Sequence, residues 1–199
     1  MFAAARAMAL GRAAGAITIL NPAPARPLPD DIFKHVDVLT PNESELRILL
    51  GLPADAPRSS RALAVELRKR GVGTVVVTMG RNGALILSDE YDLLIPSVTV
   101  PVVDTTGAGD AFNAGLAVAL AEGRDLPDAV RFAAASGSHA CARLGVIPSL
   151  GRRSEVDALV HLAVAEDRML AHAIARGDAD DIERRAQQVA VSLPVLPEV

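Results

Sequence analysis

The segment Asp104-Thr-Thr-Gly-Ala-Gly-Asp110 sets a carboxylate at each end of a glycine-rich turn, an arrangement suited to phosphoryl transfer. Val98 to Val103, apolar and β-branched, reads as a strand leading into it, and Asp110 onward reads as a helix with Ala111, Phe112, Gly115, Leu116 and Ala119 along one face. The turn then ends at a helix N-terminus, where the first amides lack intrahelical partners and the macrodipole favours an anion. Gly107 and Gly109 let the backbone approach that anion closely, and Asp110 sits beside the group being transferred. The competing explanation is an acidic cap on an ordinary turn, which Asp104 and Asp110 could serve without chemistry. The ordered set of strand, two threonines, two acids and small-residue helix weighs against it. Two commoner phosphate motifs fail: no glycine precedes a lysine, and Phe112 stands where a dinucleotide fingerprint needs its third glycine.

The elements that must position this segment alternate. Strands are expected at Ala16 to Leu20, Val36 to Leu39, Thr74 to Thr78, Ala84 to Leu87 and Val98 to Val103. Helices are expected over Met1 to Leu10, Glu43 to Leu50, Ser60 to Arg70, Ala108 to Ala121, Pro127 to Arg143 and Ser154 to Ala165. Such alternation implies an α/β fold, a mainly parallel sheet with helices on both faces. Asn82-Gly83 is a good turn, and with Ser88-Asp-Glu it brackets a short strand, so part of the sheet is expected to be antiparallel.

Composition narrows the partners. The 199 residues are half apolar but only 3% aromatic, so the core must be aliphatic and rich in alanine. A net charge of -4 with no basic stretch interleaved with aromatics argues against nucleic acid. The single Cys141 excludes an intramolecular disulfide and a cysteine-rich zinc site, and reads as a small buried helix residue. Met1 to Leu10 makes a poor signal peptide, and no run of ~18 residues lacks both charge and turn formers, so no membrane span is indicated. The histidines at 35, 139, 161 and 172 show no H-E-x-x-H spacing, and each reads as structural or exposed.

V-D-T-T-G-A-G-D-A-F resembles the signature of the ribokinase family, the PfkB carbohydrate kinases. Asn21-Pro-Ala-Pro-Ala-Arg-Pro-Leu-Pro with Val36-Asp-Val-Leu-Thr-Pro-Asn-Glu-Ser-Glu resembles its ribokinase branch, and Val75-Val-Val-Thr-Met-Gly-Arg-Asn-Gly-Ala resembles its strand and nucleotide loop. The three motifs occur in order from about residue 1 to about residue 158.

The resemblance implies a cytoplasmic, ATP-dependent sugar kinase acting on the 5-hydroxyl of ribose. Asp110 would be the general base and would also meet the sugar, while the amides of Gly107, Ala108 and Gly109 would stabilise charge on the moving phosphoryl group. Asn42 and Glu45 match the family's N-x-x-E, which implies Asn42 near the phosphates and Glu45 helping to organise Mg2+; equally, the pair can start a helix as N-cap and N3 residues. Thr78, Met79, Gly80, Arg81, Asn82 and Gly83 would line the nucleotide. A potassium site is implied at Asp104, Thr106, Ala140, Arg143, Gly145 and Ser149, mostly through backbone oxygens. Ala134 falls where several relatives carry a polar residue near the base.

The resemblance implies that the chain is incomplete at its N-terminal side, with no counterpart expected for the glycine-rich sugar site, most sugar-binding side chains and the β-sheet lid. The expectation is a catalytic and nucleotide-binding part over residues 1–158 with a helical extension over 159–199, in which Asp178 to Ala190 reads as a solvated helix. A truncated or mis-started product and a separate protein that no longer phosphorylates sugar remain alternatives, as do another sugar or nucleoside kinase and a non-catalytic nucleotide-binding remnant. Stand-alone turnover is expected to be negligible. A homodimer, or association through a sheet edge left open, is the expected assembly.

Overall fold

The computed structural model describes residues 2–176. They form two compact units, Met1–Pro96 and the part from Ser97 onward. Among the described residues of the first unit, five strands make one sheet: β1 (Ile19–Leu20), β2 (Val38–Leu39), β3 (Thr74–Thr78), β4 (Ala84–Leu87) and β5 (Asp92–Ile95), in that spatial order. β1, β2 and β3 run parallel, whereas β3, β4 and β5 are antiparallel. The helices of this unit are α1 (Phe2–Ala13), α2 (Asp30–Phe33), α3 (Glu43–Leu49) and α4 (Ser60–Lys69).

The sheet's centre is set by register. Val75 pairs with Leu87 and Val77 with Leu85, so these four share one face. They join Phe33, Leu39, Leu46, Leu49, Leu63 and Leu67 in the core. Val76 opposite Ile86 points to the other face, and both are fully buried. β4 is therefore buried along its whole length, which is why A-L-I-L is continuously apolar instead of alternating.

β1 and β2 are shorter than the expected Ala16 to Leu20 and Val36 to Leu39, because side chains take the backbone groups next to them. Asp37 accepts from the Thr18 amide and hydroxyl at 2.9 and 2.8 Å, and the Thr18 hydroxyl accepts from the Asp37 amide at 3.0 Å. Arg12 of α1 ion-pairs with the same carboxylate. α1 itself runs beyond the expected Leu10 and through Gly11, where a Cβ would meet Thr18 Cγ2 at 3.2 Å; it ends at Gly15, whose φ of 77° no branched residue adopts readily.

The second unit contains α5 (Ala108–Ala121), α6 (Leu126–Cys141) and α7 (Arg153–Arg176). α5 buries Ala111, Phe112, Gly115, Leu116 and Ala119, the face read from the sequence. It packs on α6, which is capped by Asp125, opens with Pro127 in its first turn and is buried continuously from Phe132 to Ala140. The small side chains of A-A-A-S-G-S let the two helices approach closely. α6 also packs on α7, and Phe132 is flanked by the guanidinium groups of Arg124 and Arg153 at 4.6 and 5.0 Å from its ring centre. Arg153 reaches Glu122 and Asp157, and these partners hold the guanidinium's proton more firmly than usual, with the Glu122 hydrogen bond the larger effect. α7 continues past the expected Ala165; the helix expected over Asp178 to Ala190 lies outside the described residues.

The expected strand from Val98 to Val103 does not form, and no residue between 97 and 107 enters a ladder. Pro96 and Pro101 offer no amide donor. The amides of Val103 and Asp104 instead both donate to the Cys141 carbonyl at the end of α6, at 2.8 and 3.2 Å. Five strands are still reached because Asp92–Ile95 pairs with β4 through a turn in which the Ser88 hydroxyl accepts from the amides of Glu90 and Tyr91.

Candidate active site

In the first unit the N-E-S-E segment opens α3 with a complete capping box. The Asn42 side chain accepts from the Glu45 amide at 2.9 Å, and the Glu45 carboxylate accepts from the Asn42 amide at 2.8 Å. Asn42 also bridges Thr78 in parallel, and the Thr78 amide donates to the Pro41 carbonyl at 3.0 Å. The start of α3 therefore lies beside the end of β3, and Asn42, Glu45 and Thr78 are neighbours. Residues 79–83 then turn back: the Met79 amide donates to Gly83 at 2.8 Å, and a 3-10 turn spans Gly80–Asn82. Gly80 and Gly83 have φ of 55° and 91°, and nothing stands within 4 Å of where a Gly80 Cβ would be. Gly80, Arg81 and Asn82 are exposed, leaving an open backbone shelf beyond the strand.

In the second unit, Gly107 is the N-cap of α5 with φ of 82°, and no side chain caps the helix. The Ala108 amide turns back to the Thr105 carbonyl at 3.3 Å. The Gly109 and Asp110 amides have no acceptor among the described residues, so they remain donors at the positive end of the helix. Space is open around Gly109, and Asp110, third in the helix, is exposed with no hydrogen bond or ion pair among the described residues.

Asp104 is held very differently. It accepts from the Thr106 amide at 2.9 Å and the Gly145 amide at 3.2 Å, and these bonds, Thr106's first, keep its carboxyl below the ordinary carboxylate range. A Cβ on Gly107 would strike Val146 Cγ1 at 2.8 Å, so the loop before α5 lies directly against the loop after α6. Asp104, Thr106, Gly107 and Gly145 thus come together, with Ala140 buried in the last turn of α6 and Ser149 buried beyond it. Burial, and secondarily the Asp104 charge, pushes the Cys141 thiol up, away from reactivity. Arg143 points instead to Glu155 at 3.8 Å.

The donor chemistry fits a monovalent cation in the second unit: a carboxylate, carbonyls at the negative end of a helix, and no amide bonded to the oxygens of Ala140, Arg143 or Gly145 among the described residues. For Mg2+ the fit is looser, since no group of three or more acids, histidines or cysteines could hold a metal among the described residues. Glu45, with one oxygen engaged in the capping box, suits an ion that arrives with its phosphates. One residue carried no sequence signal: His139, read as structural or exposed, is fully buried under the 142–151 loop.

A small-residue helix entered through D-T-T-G-A-G-D and a mixed sheet ending in a glycine turn define the class. The profile of the pfkB family carbohydrate kinases matches residues 2–152, and the chain belongs to that family. Ribokinase of Bacillus subtilis is 43% identical over 142 residues, 71% of this chain and 45% of the relative. Deoxyribokinase of Salmonella typhi is 42% identical over 107 residues, 53% of this chain and 35% of the relative. The structure of Arabidopsis thaliana ribokinase complexed with ribose and ATP superposes with a TM-score of 0.73 at 32% identity, covering 79% of this chain and 51% of that one. The chain spans about half the length of the ribokinases it matches.

Proposed function

We propose that this chain is the nucleotide-binding and catalytic part of an ATP-dependent sugar kinase that converts ribose to ribose 5-phosphate. The observation that carries the reading is the unpaired, exposed carboxylate of Asp110 on the same helix turn as the free amides of Gly109 and Asp110. Asp110 takes the proton of the sugar hydroxyl as its oxygen attacks the γ-phosphorus of ATP, the bond from that phosphorus to the β,γ-bridging oxygen breaks, and ADP leaves. The amides at the start of α5 face the charge that develops on the phosphoryl oxygens and need no reorganisation to do so. Asn42 and residues 78–83 hold the nucleotide, the open backbone at Gly80 leaving room for it. Glu45 would help hold Mg2+, which would supply charge shielding to the phosphates, and Asp104, Thr106, Ala140, Arg143, Gly145 and Ser149 would hold K+, which would steady the loops around Asp104. Use of ATP is compatible with work in the cytoplasm, where we place this activity. Exposed Leu93 and Leu94 on the edge strand β5 support self-association, and the part of α7 from 159 to 176 is read as an extension of the catalytic part. Similarity to a deoxyribokinase makes deoxyribose the second sugar to consider.

The test is phosphate transfer from labelled ATP to ribose and to deoxyribose, by the chain alone and joined to the N-terminal portion of a ribokinase relative. In whichever form turns over, Asp110→Asn should lower kcat by roughly 10²–10⁴-fold with little change in nucleotide affinity. Transfer to neither sugar in either form refutes the kinase reading, and a turnover within a few-fold of the parent removes Asp110 as the base.

A further inference from the structure

His139 is fully buried in the last turn of α6, and its two ring nitrogens meet different surroundings. Nδ1 lies 3.1 Å from the Ser149 carbonyl oxygen. A carbonyl can only accept, so Nδ1 carries the proton. Nε2 has no hydrogen-bond partner among the described residues, and the nearest carboxylate, Glu155, stands 3.9 Å away, beyond a hydrogen bond. A Cβ at Gly151 would fall 2.9 Å from Nδ1, so the backbone of the loop is pressed onto the ring. If only space-filling were needed here, leucine would serve without burying a polar nitrogen that has no partner. The one bond His139 does make fixes the far end of a loop whose near end, the Gly145 amide, holds Asp104.

We propose that His139 is a positioning residue: its Nδ1–H anchors the Ser149 carbonyl and so holds the 142–151 loop in the arrangement that brings the Gly145 amide to Asp104. The inference rests on reading the cluster around Asp104 as a monovalent-cation site. Its consequence is that His139, which touches neither sugar nor nucleotide, governs potassium affinity. The bond can be separated from the bulk, because the side-chain amide introduced by His139→Asn would place its Nδ2 where the imidazole Nδ1 now lies, whereas leucine places no donor there.

The experiment is thermal unfolding of the whole chain, followed by circular dichroism, in potassium chloride titrated against choline chloride at constant ionic strength. Potassium should raise the melting temperature of the parent with a measurable half-saturating concentration. In His139→Leu that concentration should rise at least about tenfold, and in His139→Asn it should return to within about threefold of the parent. Hydrogen exchange of the 142–151 amides without potassium should be faster in the leucine variant and restored in the asparagine variant. If the parent shows no potassium response, the cation-site reading fails and the inference falls with it. A parent that responds alongside a leucine variant of unchanged potassium dependence overturns the inference alone, as does an asparagine variant no better than leucine. Should the leucine variant not melt cooperatively, His139→Met, which likewise has no N–H or O–H donor, replaces it under the same criteria.

Discussion

Gly115→Ala tests whether the close approach of α5 and α6 is what sets the α5 N-terminus in place. A Cβ built at Gly115 would lie 2.5 Å from Ser136 Oγ, 3.0 Å from Ser136 Cβ and 3.1 Å from Ala133 Cα. The hydroxyl can swing aside, but it then gives up its 2.9 Å bond to the Phe132 carbonyl, a loss of about 1 kcal/mol in a buried setting. The other two contacts are fixed to the α6 backbone, so the helices must part by a few tenths of an ångström, and overpacking of this kind costs about 1–3 kcal/mol. Opposing this, alanine in place of a mid-helix glycine gains about 1 kcal/mol. The balance is a net destabilisation of about 2 kcal/mol. For a chain of this size that lowers the melting temperature by roughly 4–8 °C.

Urea and thermal unfolding by circular dichroism, with Gly109→Ala as the control, read this directly. Gly109 has nothing within 4 Å of its would-be Cβ, so its alanine variant should melt at or above the parent. Ser136→Ala removes the nearest obstacle, and in a double-mutant cycle it should recover at least about 0.5 kcal/mol of the Gly115→Ala loss. A Gly115→Ala protein that melts with or above the parent refutes the argument, because propensity would then have outweighed a clash that does not exist.

Two further outcomes follow from the same residues. Gly109→Val should leave the fold intact yet weaken ATP binding at least about tenfold, since the new side chain fills the open space before the free amides; calorimetry showing unchanged affinity in a folded variant removes the anion site from this helix end. Asp104, whose carboxyl is held below its ordinary value of 3.8 chiefly by the Thr106 amide, contributes stability that is present above the unfolded-state value and lost as pH falls through the folded-state one, so the melting-temperature gap between the parent and Asp104→Asn should narrow below about pH 4; a gap independent of pH contradicts the hydrogen bonds assigned to it.

How much could be read in advance depended on where the determining partners lie. The buried face of α5 and the bounds of β3 and β4 were legible because periodicity and flanking glycines are local. The capping box at Asn42 and Glu45 was legible for the same reason: both partners lie within one turn. Residues 98–103 looked like a strand because valine recurs there, but a strand exists only with a neighbour to pair with, and the amides of Val103 and Asp104 go to the end of α6 instead. β5, with an aspartate and only four residues, is a strand because β4 lies beside it. The four-residue α2 sits beyond a proline-rich stretch and buries Ile32 and Phe33, a role visible only once the core is assembled. His139 offered no pattern at all, since its importance comes from Ser149 and Gly151 closing over it.

The two aspartates that flank the turn show why residue type alone could not divide the work between them. Asp104 already accepts from Thr106 and Gly145, and hydrogen bonds to the ionised form stabilise that form; a carboxylate so engaged is poorly placed to receive a proton and well placed to lend fixed negative charge to a cation. Asp110 has the opposite surroundings, exposed at the third position of α5, with no bond of its own to surrender and unsatisfied amides on the same turn. A general base needs its lone pairs uncommitted until the donor hydroxyl arrives, and an anchor needs its own committed beforehand. Exchanging the roles would require breaking the Thr106 and Gly145 bonds at one site and supplying equivalents at the other, where no donor side chain caps the helix. For the proposed kinase, this difference in hydrogen-bonding favours Asp110 as the base and Asp104 as the support, a distinction that the sequence D-T-T-G-A-G-D leaves symmetric.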